Sequence, residues 1–183
     1  MFNSHVRRKR PSKDIDSLMA NPFLRDDGWY DLTPFWEWLE FISRKIHAQK
    51  DPYASTRPWN LRSHLIGNCG EFTLTLATGE MFDYKLHNGQ GKKADFQKYE
   101  TEVKTSEFYV SPQLKHPKDE SRWAKYFELV ALDEKRKRSK IMGWCTAQEL
   151  KNGFVHDFGN GPQRVLEDFE LHPGLPPTWP YKI

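Results

Sequence analysis

The chain has 183 residues, of which 37% are hydrophobic and 14% aromatic, and its formal net charge at pH 7 is +3. This length suits one domain with a substantial core, and the aromatic content argues against disorder throughout the chain. No segment approaches the roughly 18 apolar residues of a membrane span, and no apolar run follows the basic N-terminus as in a signal peptide. Cys69 and Cys145 match no zinc or redox spacing. We therefore expect a soluble, cytoplasmic protein with reduced thiols and no membrane partner.

The first half of the chain predicts a basic arm followed by two helices. Residues 1–13 have no apolar period and are predicted to be a disordered arm, and residues 14–183 are predicted to be one domain. Thr33 and Pro34 form a helix start, and apolar residues follow at helical spacing. A second helix is predicted near Leu61 to Thr78. Its glycines, Gly67 and Gly70, weaken it or mark the close approach of another element.

The second half of the chain alternates strands and turns. The predicted strands are Met81 to Leu86, Tyr99 to Thr105, Tyr126 to Leu132, Ile141 to Trp144 and Arg164 to Leu166. Ser111 to Pro117 is interpreted as a proline-containing linker, and Thr146 to Leu150 as a short helix with a threonine cap. Helices on either side of a mixed sheet make the expected class α/β (α+β), with a central sheet of four to five strands.

The segment from Asp95 to Lys104 carries the candidate chemistry. Side chains two apart on a strand share a face, so Glu102 and Lys104 point the same way. Asp95, at a preceding turn or strand end, adds a second carboxylate. Two carboxylates and the Val103 carbonyl would suit Mg²⁺, with Mn²⁺ as a substitute, and such an ion promotes phosphodiester hydrolysis. Lys104 would orient the attacking water or stabilise the transition state.

Other interpretations of this segment stay open. A Glu-x-Lys pair on an exposed strand often only decorates a solvent-facing surface, although apolar Val103 and Phe96 favour a central strand here. Glu100 shares the Glu102 face in a regular strand and is a competing acid. Glu71, on the second helix, is a candidate outer metal ligand. The histidines, His116 among them, form no series of metal ligands, and no nucleotide cofactor is predicted.

These residues also form a recognisable pattern. Gly91-Lys-Lys-Ala-Asp95-Phe, followed by Glu102-Val-Lys104-Thr-Ser106, resembles the signature of the PD-(D/E)XK nuclease superfamily, with Ala94 where a proline often stands. Glu71 is similar to the acid of that family's preceding helix. The resemblance covers roughly Leu61 to Leu150 and implies a restriction-endonuclease-like fold, Mg²⁺-dependent cleavage of nucleic acid, and catalytic roles for Asp95, Glu102 and Lys104. Only six residues separate Asp95 from Glu102, so Asp83 is the alternative first acid.

Basic clusters point to a polyanionic partner. Lysine and arginine concentrate in three places that could contact phosphates: Arg7, Arg8, Lys9 and Arg10; Lys92 and Lys93; Lys135, Arg136, Lys137 and Arg138. We expect an endonuclease of restriction, phage or repair type that acts on DNA, with RNA as an open alternative and a homodimer that cuts both strands as one arrangement. The alternatives are a non-catalytic nucleic-acid-binding or assembly protein, and an interaction protein anchored by the aromatic residues of Trp29 to Phe41 and Trp179 to Tyr181.

Overall fold

The computed structural model describes residues 21–49, 61–82, 94–117, 123–159 and 161–180. The predicted arm, Lys92, Lys93, Asp83 and most of the predicted strand from Met81 to Leu86 lie outside these ranges. Three helices are described: α1 (Trp36–Gln49), α2 (Leu61–Thr78) and α3 (Ala147–Asn152). The strands are β1 (Tyr30–Asp31), β2 (Thr101–Ser106), β3 (Gln113–Pro117), β4 (Tyr126–Asp133), β5 (Arg138–Thr146), β6 (Phe154–Asp157) and β7 (Pro162–Glu167).

The described strands form two sheets. Sheet A has the order β1-β5-β4-β2 and is mixed, because β2 and β4 run parallel while β4 and β5 run antiparallel. Sheet B has the order β3-β7-β6 and is antiparallel. The mixed α/β class and the four-stranded mixed sheet are confirmed. Sheet B was not expected.

The interpretation of Ser111 to Pro117 as a linker was wrong, because this segment contains β3. Pro112 and Pro117 are turn and linker signals, but Pro117 ends the strand, where its missing N–H is tolerated. Between the prolines, buried Leu114 and His116 alternate with the more exposed Gln113 and Lys115. That period of two is typical of a strand with one covered face.

Both long helices follow the sequence signals. A 3₁₀ turn at Thr33–Phe35 leads into α1, whose residues Leu39 and Ile42 are buried. The predicted second helix is confirmed as α2, which continues through both glycines because it is packed between α1 and sheet A. At Gly70 a Cβ atom would collide with Thr105 Oγ1. The predicted threonine cap is also confirmed, since Thr146 and Glu149 form a capping box at the start of α3.

Apolar side chains pack on both faces of sheet A. One cluster joins α1 and α2 to the sheet, and it includes Leu39, Phe72, Val103, Val130 and Leu132. The other joins sheet B and α3 to the opposite face, and it includes Leu114, Phe127, Leu129, Leu150 and Leu166. The space between sheets A and B is where the candidate site lies. Within the described ranges, no helix is both long and apolar enough to cross a membrane.

Candidate functional site

Strand β2 sorts its side chains between the two faces of sheet A. Val103 and Thr105 face α2, since a Cβ at Gly70 would meet both of them. Alternate residues of a strand face opposite sides, so Glu102 and Lys104 project away from α2, toward sheet B. Their partners across the parallel ladder are Phe127 and Leu129, which belong to the sheet B cluster. The same-face prediction for Glu102 and Lys104 is confirmed.

The Glu102 carboxylate is held by two side chains. Lys104 Nζ donates to Glu102 Oε1 at 2.5 Å, and His116 Nε2 lies 3.2 Å from each carboxylate oxygen. The Glu102 side chain is 17% exposed and that of Lys104 is 28% exposed. A molecule arriving from solvent can therefore reach the lysine, and the carboxylate behind it is mostly covered.

His116 is a site residue that sequence reasoning missed. Its Nδ1 lies 3.1 Å from the Pro117 carbonyl and its Nε2 faces the Glu102 carboxylate. Both partners only accept hydrogen bonds, so a ring nitrogen of His116 that carries a hydrogen can donate to either of them. The ring makes edge contacts with Trp123 and Phe127, at centroid distances of 5.3 and 5.0 Å. The signal that could have found His116 is the alternation of Leu114 and His116 in β3.

The surroundings of Glu102 keep it ionised. Burial acts to raise the pKa of its carboxyl, but the hydrogen bond from His116 and the positive charges of Lys104 and His116 together outweigh burial. The pKa of Glu102 is therefore below its ordinary value. A partly buried carboxylate that stays anionic is able to bind a cation or accept a proton.

Asp95 lies at the edge of β2. Phe96 and Thr101 exchange two backbone hydrogen bonds, of 3.0 and 3.2 Å, which bring the preceding Asp95 alongside the strand. Asp95 Oδ2 accepts a hydrogen bond from the Val103 N–H at 2.8 Å. The N–H and C=O of one strand residue point the same way, so the Val103 carbonyl also lies on the Asp95 side. Asp95 and the Val103 carbonyl thus meet at the edge next to Glu102.

Two other predicted acids are placed differently. Glu71 is on α2, and α2 packs on the Val103 face of β2. The backbone of Glu71 is therefore on the opposite side of β2 from the Glu102 carboxylate. The alternation of the strand separates the backbone positions of the two acids, and the role of Glu71 as an outer metal ligand stays a prediction. Glu100 precedes β2 in a left-handed conformation (φ 52°) and is exposed, and Lys125 lies 3.7 Å from it. It is not part of the strand face that Glu102 occupies.

The basic cluster Lys135 to Arg138 lies at the β4–β5 turn. Glu102 pairs with Phe127 near the start of β4, and the turn follows Asp133 at its end, about 20 Å further along the strand. Arg136 and Arg138 each have a nitrogen 3.3 Å from buried Asp133. Part of the positive charge of this cluster is therefore compensated locally, and the structure does not bring the cluster to Glu102.

Oxygen donors at the site are suitable for a hard divalent cation. Asp95 and Glu102 supply carboxylates and Val103 supplies a carbonyl, and Mg²⁺ is often held by one or two carboxylates with water and substrate phosphate. In the described part of the chain, no group of three or more histidine, cysteine, aspartate or glutamate side chains is arranged to hold a metal. A cation here would therefore depend on few protein ligands and on the substrate.

Comparisons with protein-family models, curated proteins and solved structures find no match for this chain. The resemblance to the PD-(D/E)XK superfamily therefore depends on the residues of the motif alone. Of those residues, Glu102 and Lys104 are in contact on one face of β2, and Asp95 accepts a hydrogen bond from the Val103 N–H at the edge of the strand.

Proposed function

We propose that this chain is a metal-dependent endonuclease that hydrolyses phosphodiester bonds in DNA. The observation that carries the proposal is the Glu102 carboxylate, which is mostly covered, has a lowered pKa, and shares its strand face with Lys104. Asp95 and the Val103 carbonyl flank it at the same edge. Acids combined with a lysine at a partly open edge suit the cleavage of a phosphate ester better than a purely electrostatic contact with DNA, because isolated acids repel phosphate.

Asp95, Glu102 and the Val103 carbonyl would hold a Mg²⁺ ion, and Mn²⁺ would substitute for it. When bound, such an ion lowers the pKa of a coordinated water and neutralises charge on the phosphate and the leaving oxygen. The Val103 N–H holds one oxygen of Asp95, which restricts the orientation of that carboxylate. The restriction reduces the rearrangement needed when the cation and substrate arrive.

Lys104 and His116 have different roles in this proposal. Lys104, the more exposed of the two, would turn its ammonium group from Glu102 to the attacking water or to a phosphate oxygen. His116 is held by Pro117, Trp123 and Phe127, and it would keep the Glu102 carboxylate in place from behind. His116 is thus a positioning residue, whereas Lys104 would contact the substrate.

One observation favours a second candidate, a non-catalytic nucleic-acid-binding or assembly protein. Glu102 already has two partners, the Lys104 ammonium group and the His116 ring, and together they link β2 of sheet A to β3 of sheet B. A buried ion cluster of this kind can be purely structural. In that case Lys104 remains paired with Glu102, and removing Glu102 destabilises the protein. The wild-type protein itself then cuts no DNA.

Plasmid cleavage separates the two candidates. Supercoiled and linear DNA are incubated with the protein in Mg²⁺, Mn²⁺, Ca²⁺ or EDTA. Glu102→Gln and Lys104→Ala are compared with Glu100→Gln, a matched control that changes the same residue type two positions away, outside the strand face. We expect cutting in Mg²⁺ or Mn²⁺ by wild type and Glu100→Gln, and none by the two site variants. Nicked or linear product would distinguish single-strand from double-strand cutting by a homodimer.

The endonuclease proposal fails if the wild-type protein binds DNA in a salt-dependent manner but cuts it in none of these metals. It also fails if folded Glu102→Gln protein cuts as fast as wild type. Far-ultraviolet circular dichroism and a thermal melt of each variant identify loss of cutting that is caused by unfolding.

A further inference from the structure

Aromatic side chains are exposed on the outer surface of sheet B and on the loop that follows β2. Phe108 is 73% exposed and Phe158 is 42% exposed, and Phe154 and Tyr109 are also on the surface. Scattered exposed apolar residues are common, but a contiguous group of large ones marks an interaction surface. Lys115 lies between two of these rings, those of Phe108 and Phe158.

Lys115 joins these rings into one surface. Its Nζ lies 3.8 Å from the centroid of Phe158 and 6.0 Å from that of Phe108. The ring of His156 lies 4.4 Å from that of Phe158 in an edge contact. We call Phe108, Lys115, His156 and Phe158 the aromatic strip. The strip therefore has the Lys115 ammonium group between two exposed rings and the His156 imidazole at one end. It presents flat aromatic faces next to a positive charge.

The aromatic strip and the candidate site share two strands. On β3, Lys115 faces outward and the next residue, His116, faces inward to Glu102. On β2, Lys104 is near the middle, and Phe108 follows the end of the strand at Ser106. The strip is therefore connected to the site through rigid elements, on the opposite face of sheet B.

A cavity borders the strip. It has a volume of about 500 Å³ and is lined by the loop from Glu107 to Ser111 together with Gln113 and Lys115. This volume is within the range of roughly 300–1,000 Å³ that is usual for small-molecule sites. Rings, an amide and an ammonium group at its wall are suitable for a heteroaromatic base attached to a phosphate, and the Glu107 carboxylate at the same wall is paired with Arg62.

We infer that the aromatic strip binds an unpaired segment of the DNA substrate, with bases stacked on Phe108 and Phe158 and a backbone phosphate near Lys115. The inference rests on the proposed function, since it specifies that the substrate has a single-stranded part. Stacking on aromatic side chains and nearby positive charge are the two features of sequence-tolerant single-strand binding. Paired bases in a duplex do not expose their faces, so the strip selects unpaired ones.

Charge argues against a second copy of the chain as the occupant. A twofold interface places the same patch of both copies face to face. Centred on the strip, it would bring the two Lys115 ammonium groups together, which is unfavourable. A polyanion with exposed bases avoids this repulsion and uses the cation.

Fluorescence anisotropy in EDTA tests the inference without cleavage. The probes are a labelled single strand and a blunt duplex that contains the same strand. Phe108→Ala and Phe158→Ala are each expected to weaken binding of the single strand by about tenfold, as loss of one stacked base predicts, and to change duplex binding less than about twofold. Phe158→Tyr keeps a ring and should restore binding.

Phe41→Ala is the matched control. Phe41 is a phenylalanine that is 51% exposed, with Lys45 Nζ 4.6 Å from its ring centroid, but it lies on α1, on the far side of sheet A. The Phe41→Ala protein should bind both probes with the same affinity as the wild type. All substituted rings are exposed, so the variants should fold, and their thermal melts verify this.

The inference is overturned if the strip variants bind the single strand as tightly as wild type, or if they lose single-strand and duplex binding equally. It is also overturned if light scattering shows that they convert a dimer to a monomer while single-strand binding is unchanged. A protein that binds single strands through the strip but cuts no DNA would refute the endonuclease proposal alone. A protein that cuts through Glu102 but ignores the strip substitutions would refute this inference alone.

Discussion

Two glutamates on neighbouring parallel strands of sheet A have opposite surroundings. Glu102 on β2 faces sheet B and contacts Lys104 and His116. Glu128 on β4 pairs with Val103, so it faces α2, where it is fully buried. Neither of its carboxylate oxygens has a hydrogen-bond partner among the described residues. Burial raises the pKa of Glu128 well above its ordinary value, whereas the pKa of Glu102 is lowered.

This difference shows that burial alone does not decide whether the pKa of a carboxyl is raised or lowered. On the α2 face the carboxyl group has no compensating charge, so it keeps its proton to higher pH. On the sheet B face, the hydrogen bond with His116 and the charge of Lys104 stabilise the anion although it is mostly covered. The α2 face is closed by a helix in close contact, and the sheet B face remains partly open at Lys104. A chemical role is therefore expected for Glu102 and not for Glu128.

The largest expected effect is on cleavage. Glu102→Gln should reduce the rate of DNA cleavage in Mg²⁺ by roughly a thousandfold, because the anionic ligand and its electrostatic contribution are lost. Glu128→Gln, which changes the same residue type on the closed face, should cut within about twofold of the wild-type rate. Initial rates of plasmid nicking at saturating Mg²⁺ measure both. If folded Glu102→Gln and folded Glu128→Gln lost cutting equally, the acid on the sheet B face would not differ in role from the acid on the α2 face.

A smaller effect concerns how tightly the α2 face is closed. Gly70→Ala should lower the free energy of unfolding by roughly 1–3 kcal/mol, because the new methyl group collides with Thr105 and crowds Val103. Gly67→Ala, one turn earlier in α2, meets no atom within 4 Å and should raise the free energy of unfolding by about 0.5–1 kcal/mol. Urea denaturation provides the comparison. If both substitutions change the free energy of unfolding in the same direction, α2 is not in close contact with β2.

The smallest effect is the opposite pH dependence of the two acids. The raised pKa of Glu128 favours the folded state below the ordinary glutamate pKa, and this contribution is lost as pH rises through the folded-state value. Glu128→Gln should therefore become more stable relative to wild type as pH increases from 5 to 8. Denaturant midpoints over this range measure the trend.

Glu102 should show the reverse sign at lower pH. Its lowered pKa contributes stability above the ordinary glutamate pKa of about 4.3, and this contribution disappears as pH falls through the folded-state value. The wild type should therefore lose stability relative to Glu102→Gln on acidification. If the stability of Glu102→Gln and that of Glu128→Gln, each relative to wild type, changed in the same direction with pH, the two carboxyls would have similar surroundings.

Local patterns in the sequence were sufficient for much of the fold. The bounds of α2, the buried strand at Tyr126 to Leu132 and the cap at Thr146 follow from apolar periodicity and from a side chain that bonds its own helix end. The shared face of Glu102 and Lys104 follows from the alternation of a strand. These features depend on residues close together in the chain, so their physical causes are visible in the sequence.

Only the tertiary structure decided which groups surround each acid. His116 reaches Glu102 because β3 pairs with β7 and packs over sheet A, and neither event is encoded in a local period. Glu71 is on the other face because α2 packs against Val103. Glu128 faces the same side as Val103, and neither of its carboxylate oxygens has a partner among the described residues. The sequence by itself determined that Glu102 and Lys104 share one face of β2. Long-range packing determined the charge of each acid, since the pKa of a carboxyl depends on the groups that the fold brings to it.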